Sequence, residues 1–257
     1  MLIINNGYGK SGTTWIQRGL RYYFKFSAFD DRFQNPKLAN ASLDQQSILT
    51  FVRETNLKST HYYSKSHWAA NEPIEDGRLA QALNKLDGVV VINSIRNIGD
   101  SVVSWYHHQK REGETRAFDP WFWDIGTGFV HRYMSHHMSW SHMEKPPFLF
   151  SYENLKRDPF ASFAAFRSEI GLVDDRTDAE FNHHMDFDVT KSQSNTVHMR
   201  KGVVGDRVNY LDDAMVDHVE NLFDKRRFFD KCGAYFDQHG VDASELRLRQ
   251  SDNAVVL

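Results

Sequence analysis

Apolar positions along the chain fall into short continuous runs separated by stretches of helical spacing. "LII" at residues 2–4, ended by "NNGYG", reads as a buried strand entering a glycine turn. In "TTWIQRGLRYYFKF", Trp15, Leu20 and Tyr23 recur at roughly helical spacing, so the chain opens as strand, loop, helix. Residues 27–60 are polar and mixed, with a helix expected near "LDQQSILTFVRET". "THYYSKSHW" reads as a second strand leading into a loop, and "EDGRLAQALNKL" as a helix ended by "DG". "VVVINSI" at 89–95 is the clearest buried strand, rich in β-branched residues, and "NIGDSVVSWYHHQKR" follows it as a helix with Asp100 in its first turn.

The aromatic, histidine-rich segment 112–146 reads as helices with loops, and residues 148–151 as another short strand. "DPFASFAAFRSEIGL" reads as a helix opened by Pro159 and stopped by Gly171. Residues 186–210 show weak periodicity. "DDAMVDHVENLFDKRRFFDKC" reads as one final amphipathic helix with Met215, Val219 and Leu222 on one face, and the polar tail "SELRLRQSDNAVVL" is expected to fray. Strands alternating with helices predict an α/β fold: one domain over residues 1–257, with a central, mainly parallel sheet flanked by helices.

Composition narrows the function. With 257 residues, 40% hydrophobic and 14% aromatic, the chain can bury a sizeable core. A net charge of −3 disfavours a general nucleic-acid partner, so an anion site must come from a local cluster of cations. The one cysteine, Cys232, excludes an internal disulfide and fits a reducing compartment. The apolar run at the start is too short for a signal peptide, and no stretch approaches the ~20 apolar residues of a membrane span. A cytoplasmic location is expected.

The opening loop is the strongest chemical signal. A nucleotide-binding GxxxxGK[ST] loop ending at Ser11 would need glycine at position 4, where Ile4 stands. What is present is Lys10 followed by Ser11, Gly12, Thr13 and Thr14 opening a helix. Backbone N–H groups at such a helix start bind anions; the threonines add hydroxyls, Lys10 adds charge, and Gly12 allows close approach. Trp15 offers a flat face for a base. Arg96, at the end of a predicted strand, carries a planar fork suited to phosphate.

"YGKSGTTW" closely resembles the "PKSGTTW" segment of the cytosolic-type sulfotransferases, with Gly9 where that family usually has proline. The resemblance implies that this loop grips the 5′-phosphosulfate of 3′-phosphoadenosine 5′-phosphosulfate (PAPS). "RNIGDSVVSWYHH" is similar to the family's "RNPKDVAVSYYHF", which implies that Arg96 and Ser104 bind the 3′-phosphate. "MRKGVVGDRVNY" resembles "RKGxxGDW", a flap over the 3′-phosphate and adenine; Arg200, Lys201 and Gly202 carry over, while Arg207 replaces the tryptophan. "FSYENLKRDP" resembles "FYEDMKENP" and places Tyr152 near the adenine. "YYSKSHW" resembles the "KTH" motif, whose histidine is the catalytic base, and so assigns that role to His67.

Sulfuryl transfer to a hydroxyl or amine needs a base for the acceptor proton, stabilised sulfuryl oxygens and a neutralised leaving phosphate, with in-line geometry. A ring that titrates near neutrality suits His67 to the first task. Lys65, two positions earlier in an extended segment, faces the same side. The resemblance implies that Lys10 meets the bridging oxygen and that Ser104 holds Lys10 away until both substrates are bound. The products are the sulfated acceptor and 3′-phosphoadenosine 5′-phosphate (PAP). Adjacent histidine pairs at 107–108, 136–137 and 183–184 lack any HExxH or CxxC companion, so no metal is expected.

Two alternatives stay open at this stage. A nucleotide kinase or NTPase would require the Walker loop that the misplaced glycine spoils. A non-catalytic nucleotide-binding protein on the same scaffold is opposed by intact Lys10, Lys65 and His67. The aromatic stretches "DPWFWDIGTGF" and "HWAAN" could line a pocket for a phenol, sterol or lipid alcohol, or be core; a glycan acceptor is also open. The family's dimer motif, KxxxTVxxxE, is not matched by "RVNYLDDAMVDHVE".

Overall fold

Four short, largely buried strands pair in parallel, and the helices between them cover both faces, as buried parallel strands require. The computed structural model describes all residues except 31–32, 34–42, 44, 71–72, 75–76, 84–85, 174–176, 187–201 and 250–257. In chain order its first half runs β1 Leu2–Asn5, α1 Thr13–Tyr23, α2 Gln45–Glu54, β2 Tyr62–Lys65, β3 Pro73–Ile74, β4 Gly77–Arg78, α3 Leu79–Leu83, β5 Val89–Ile95 and α4 Ile98–Arg111. The rest runs α5 Phe118–Trp121, a π-helical turn Phe122–Gly126, α6 Thr127–Ser141, β6 Phe148–Ser151, α7 Tyr152–Arg157, α8 Pro159–Glu169, α9 Asp178–Met185, a 3₁₀ turn Asp206–Asn209, α10 Asp213–Arg226, α11 Phe228–Gln238 and α12 Ala243–Leu246.

The main sheet has the order β2-β1-β5-β6 with every pairing parallel. Its register sets Asn5 beside Lys65 and beside Ile92, and Ile95 beside Ser151. The ends of these strands therefore open at one edge, the edge at which open parallel sheets bind ligands. The pleat divides the core. Ile3, Ile92 and Phe150 pack with Trp15, Ile16 and Leu20 of α1 and with Phe163 of α8. Leu2 and Ile4 turn the other way to meet Ile48 and Phe51 of α2, while Ile95 and Leu149 join Val102, Val130, Val219 and Phe236 in a third cluster.

Three expectations are corrected. The helix read over residues 75–86 is, among the described residues, only the short α3, with β4 before it pairing antiparallel to β3. The single helix expected over 212–232 breaks at Arg227, which adopts the left-handed conformation (φ 53°). A straight helix would carry its second apolar stripe away from the core; the break stacks Phe228 on Phe223 (5.2 Å) and buries Cys232, Tyr235 and Phe236 in the same cluster. The tail does not fray before Arg249: Glu220 accepts hydrogen bonds from Arg247 Nη1 (2.8 Å) and from the Leu248 N–H (2.6 Å), and Asn97 Nδ2 donates to the Glu245 and Arg247 carbonyls.

Candidate active site

The loop after β1 is shaped by two left-handed residues in three, Lys10 (φ 69°) and Gly12 (φ 95°). Turns of this kind gather backbone N–H groups into anion-binding concavities. Gly12 is the N-cap of α1 and no side chain caps that helix. A Cβ at Gly12 would come within 2.7 Å of Tyr152 Cδ2, so glycine is required by space as well as by φ. Ser11 is fully buried and turns its hydroxyl inward, onto the Tyr8 carbonyl (2.5 Å) and Ser94 Oγ (2.6 Å); it shapes the loop from beneath. Thr14 is exposed, and its Oγ1 accepts a hydrogen bond from Lys65 Nζ (3.4 Å).

Arg96 ties three parts of the site together. Its Nη1 donates to the Lys10 carbonyl (3.4 Å), its Nη2 donates to the Val203 carbonyl (3.0 Å), and its guanidinium lies over the Tyr152 ring at 4.2 Å. Tyr133 holds the Arg96 carbonyl from behind (2.6 Å). Ser104 is half-buried on α4; among the described residues no hydrogen bond links it to Lys10, whose Nζ lies 5.9 Å from the ring centre of the neighbouring Trp105. Gly202 is left-handed (φ 62°) at the end of the flap, while Arg200 and Lys201 lie outside the described residues.

His67 Nδ1 bonds to the Gly7 carbonyl. A carbonyl only accepts, so Nδ1 carries the proton and the neutral ring presents Nε2 as its basic nitrogen. His67 is exposed by area, yet burial is the first cause of a pKa lowered from 6.5, with the charges of Lys65 and Lys10 adding and the Gly7 carbonyl opposing. A ring on a cleft wall satisfies both observations. Burial first, then Arg111 and Lys65, push the Lys10 ammonium down to about 8. Burial lowers Lys65 as well. Three mutually repelling, partly desolvated bases at the mouth of an N–H-rich loop favour an anion between them.

Asp100, read from sequence only as a helix-start acid, has a larger part. Its side chain is wholly buried and accepts from the N–H groups of Gly205 (2.7 Å) and Arg207 (2.9 Å), with Arg207 Nη1 at 3.7 Å. A Cβ at Gly99 would come within 2.8 Å of Arg207 Cδ. Arg207, where the resemblance has tryptophan, thus docks the flap onto α4, and His107 Nε2 with Tyr210 OH (2.7 Å) fastens its far end.

Trp15 is 5% exposed, donates from Nε1 to the Met185 carbonyl (2.9 Å), and is flanked by Tyr152 (5.8 Å) and Lys156 (5.5 Å); it packs α1 against α9 and is not an open platform. The 112–146 segment supplies what sequence reasoning could not place. Phe129, Tyr133 and His136, on one face of α6, surround Tyr8 at 5.1, 5.8 and 5.5 Å, and Trp105 stacks on Phe129. His136 and His137 are buried and held neutral by desolvation. Among the described residues no group of His, Cys, Asp or Glu is arranged to hold a metal ion, and no helix is long and apolar enough to cross a membrane.

The chain is 24% identical to a flavonol 3-sulfotransferase of Flaveria bidentis, over 85% of this chain and 79% of that one. It is 23% identical to a flavonol 4′-sulfotransferase of Flaveria chlorifolia, over 85% and 77%. Its fold matches that of a mouse sulfotransferase solved with PAP (TM-score 0.62, 18% identity, 93% of this chain and 88% of that one). It also matches a retinol dehydratase solved with androsterone and PAP (TM-score 0.58, 16% identity, 90% and 80%). The family model for the sulfotransferase domain matches residues 2–233, and the chain belongs to that family.

Proposed function

We propose that the chain acts as one domain that moves the sulfuryl group of PAPS to a hydroxyl of a small aromatic acceptor and releases PAP. The observation that carries this reading is the convergence of Lys10, Lys65 and His67 on the loop that opens α1, with the neutral Nδ1–H tautomer of His67 selected by its hydrogen bond to the Gly7 carbonyl. The acceptor oxygen attacks sulfur in line with the bond to the 5′-phosphate. That bond breaks, the acceptor proton passes to His67 Nε2, and Lys10 neutralises the leaving phosphate oxygen. Lys65 stabilises the sulfuryl oxygens. Arg96, Ser104, Arg200, Lys201 and Gly202 hold the 3′-phosphate, with Tyr152 beneath Arg96 on the adenosine side.

The acceptor class follows from the rings beside Lys10. Tyr8 and Trp105, half-buried and backed by the buried Phe129, present ring surface next to Lys10, and a planar phenol matches rings better than a glycan does. Relatives that act on flavonols agree with this choice. The lone buried Cys232 fits a reducing compartment, and we place the enzyme in the cytoplasm, with no metal requirement.

The test is a thermal-shift series with turnover alongside. PAP should raise the melting temperature well beyond adenosine 5′-phosphate, and ATP with Mg²⁺ should not match it. Labelled PAPS with a panel of phenols, sterols and sugars should give transfer to phenols. Equal shifts from PAP and adenosine 5′-phosphate, or no transfer to any acceptor, would overturn the reading.

A further inference from the structure

Asn6 lies in the loop after β1, outside every motif by which the site was read, and it is fully buried. Its side chain uses all four of its hydrogen-bonding positions. Oδ1 accepts from Ser66 Oγ (2.7 Å) and from the Trp68 N–H (2.8 Å). Nδ2 donates to the Trp68 carbonyl (3.0 Å) and to Asn93 Oδ1 (3.2 Å) on β5. Three of the four bonds therefore grip the residues on either side of His67, and the fourth anchors Asn6 to the centre of the sheet. The Ser66 N–H donates to the Asn5 carbonyl (2.9 Å), which extends the β1–β2 pairing one residue past Lys65. Ser66 points in, so His67 points out toward the loop. Gly7, the next residue along, supplies the carbonyl that fixes the ring.

From this we infer that Asn6 is the positioning residue of the catalytic base: it holds the segment 66–68 so that His67 keeps its Nδ1–H tautomer and aims Nε2 at the acceptor. The inference rests on the reading of His67 as base. A burial-only role for Asn6 would leave the tautomer alone, because in that case the Gly7 carbonyl would find His67 without help. A histidine side chain free in water favours the proton on Nε2, so loosening the segment should let the ring drift to that form, which cannot accept the acceptor proton through Nε2.

The experiment compares Asn6→Ala, Ser66→Ala and His67→Ala in the full chain. The three readouts are kcat with labelled PAPS and a phenol, PAP affinity by calorimetry, and the His67 tautomer from long-range proton–nitrogen NMR. Asn6→Ala should lower kcat by ~10²-fold, the scale expected for about 1 Å of misplacement, with PAP affinity changed less than about threefold. Its His67 should lose the Nδ1–H signature that the parent shows. Ser66→Ala, which removes one bond of the four and keeps the anchor to Asn93, should give a smaller loss in the same direction and serves if Asn6→Ala does not fold. Normal kcat and an unchanged tautomer in both variants would overturn the inference, as would a loss of PAP binding equal to the loss in rate. Normal turnover in His67→Ala would instead remove the reading of His67 as base, which separates the two failures.

Discussion

Gly12→Ala tests the link between the loop and the arginine that it supports. The added methyl must sit at φ 95°, where an alanine pays about 1–2 kcal/mol, and it would approach Tyr152 Cδ2 to 2.7 Å and Cε2 to 3.4 Å. Tyr152 is 6% exposed and cannot swing away freely, so the overlap adds about 1–3 kcal/mol of overpacking. Reduced freedom of the unfolded chain returns about 0.4–1 kcal/mol, which leaves a net loss of about 3 kcal/mol, or roughly 6–12 °C in melting temperature for a chain of this size. The ring that must shift is the one 4.2 Å beneath the Arg96 guanidinium, so PAP affinity should fall by about tenfold as well. Gly113→Ala is the matched control: its φ is 106°, but nothing lies within 4 Å of the added methyl. That variant should lose only about 1 kcal/mol, from backbone strain, and keep PAP affinity. Scanning fluorimetry and calorimetry read both. Equal melting shifts in the two variants, or unchanged PAP affinity in Gly12→Ala, would refute the argument that Tyr152 couples this loop to Arg96.

Three further outcomes follow from the electrostatics and the aromatic wall. The unprotonated His67 is the base and its pKa lies below 6.5, so kcat/KM should rise with pH to a plateau through an apparent pKa below that value. An anion prefers the charged Lys10, whose pKa in the free protein is about 8, so PAP affinity should weaken as pH rises beyond about 8; an affinity unchanged up to about pH 10 would remove Lys10 from the phosphosulfate site. Trp105→Ala should raise the phenol KM by roughly tenfold and leave PAP affinity within about twofold, and the reverse pattern would put Trp105 on the cofactor side.

The strand–loop–helix opening and the strand at 89–95 were legible because a parallel strand buried on both faces must be written as an apolar run, and its loop must carry Gly12. The positions of Lys10, Lys65, His67 and Arg96 at or just beyond the strand ends were legible too, because each falls within a short motif. What escaped depends on contacts distant in sequence. Asp100 looks like an ordinary helix-start acid until the flap docks on it from residues 205–207. Asn6 looks like a turn residue until Ser66 and Trp68 close around it. Helix α9 carries a signal readable in sequence, the capping box of Thr177 and Glu180. The break at Arg227 had none, since neither glycine nor proline marks it and only the packing of Phe223 on Phe228 selects it.

The central claim is that His67 removes the acceptor proton while the rest of the site holds PAPS. The most direct measurement is single-turnover transfer from labelled PAPS to a phenol by the parent chain and by His67→Ala, with PAP affinity measured on the same samples. The account predicts that His67→Ala loses at least ~10²-fold in rate while binding PAP as the parent does, because the ring acts only as the bond to sulfur forms. Transfer at the parental rate, or loss of PAP binding in step with the rate, would contradict it.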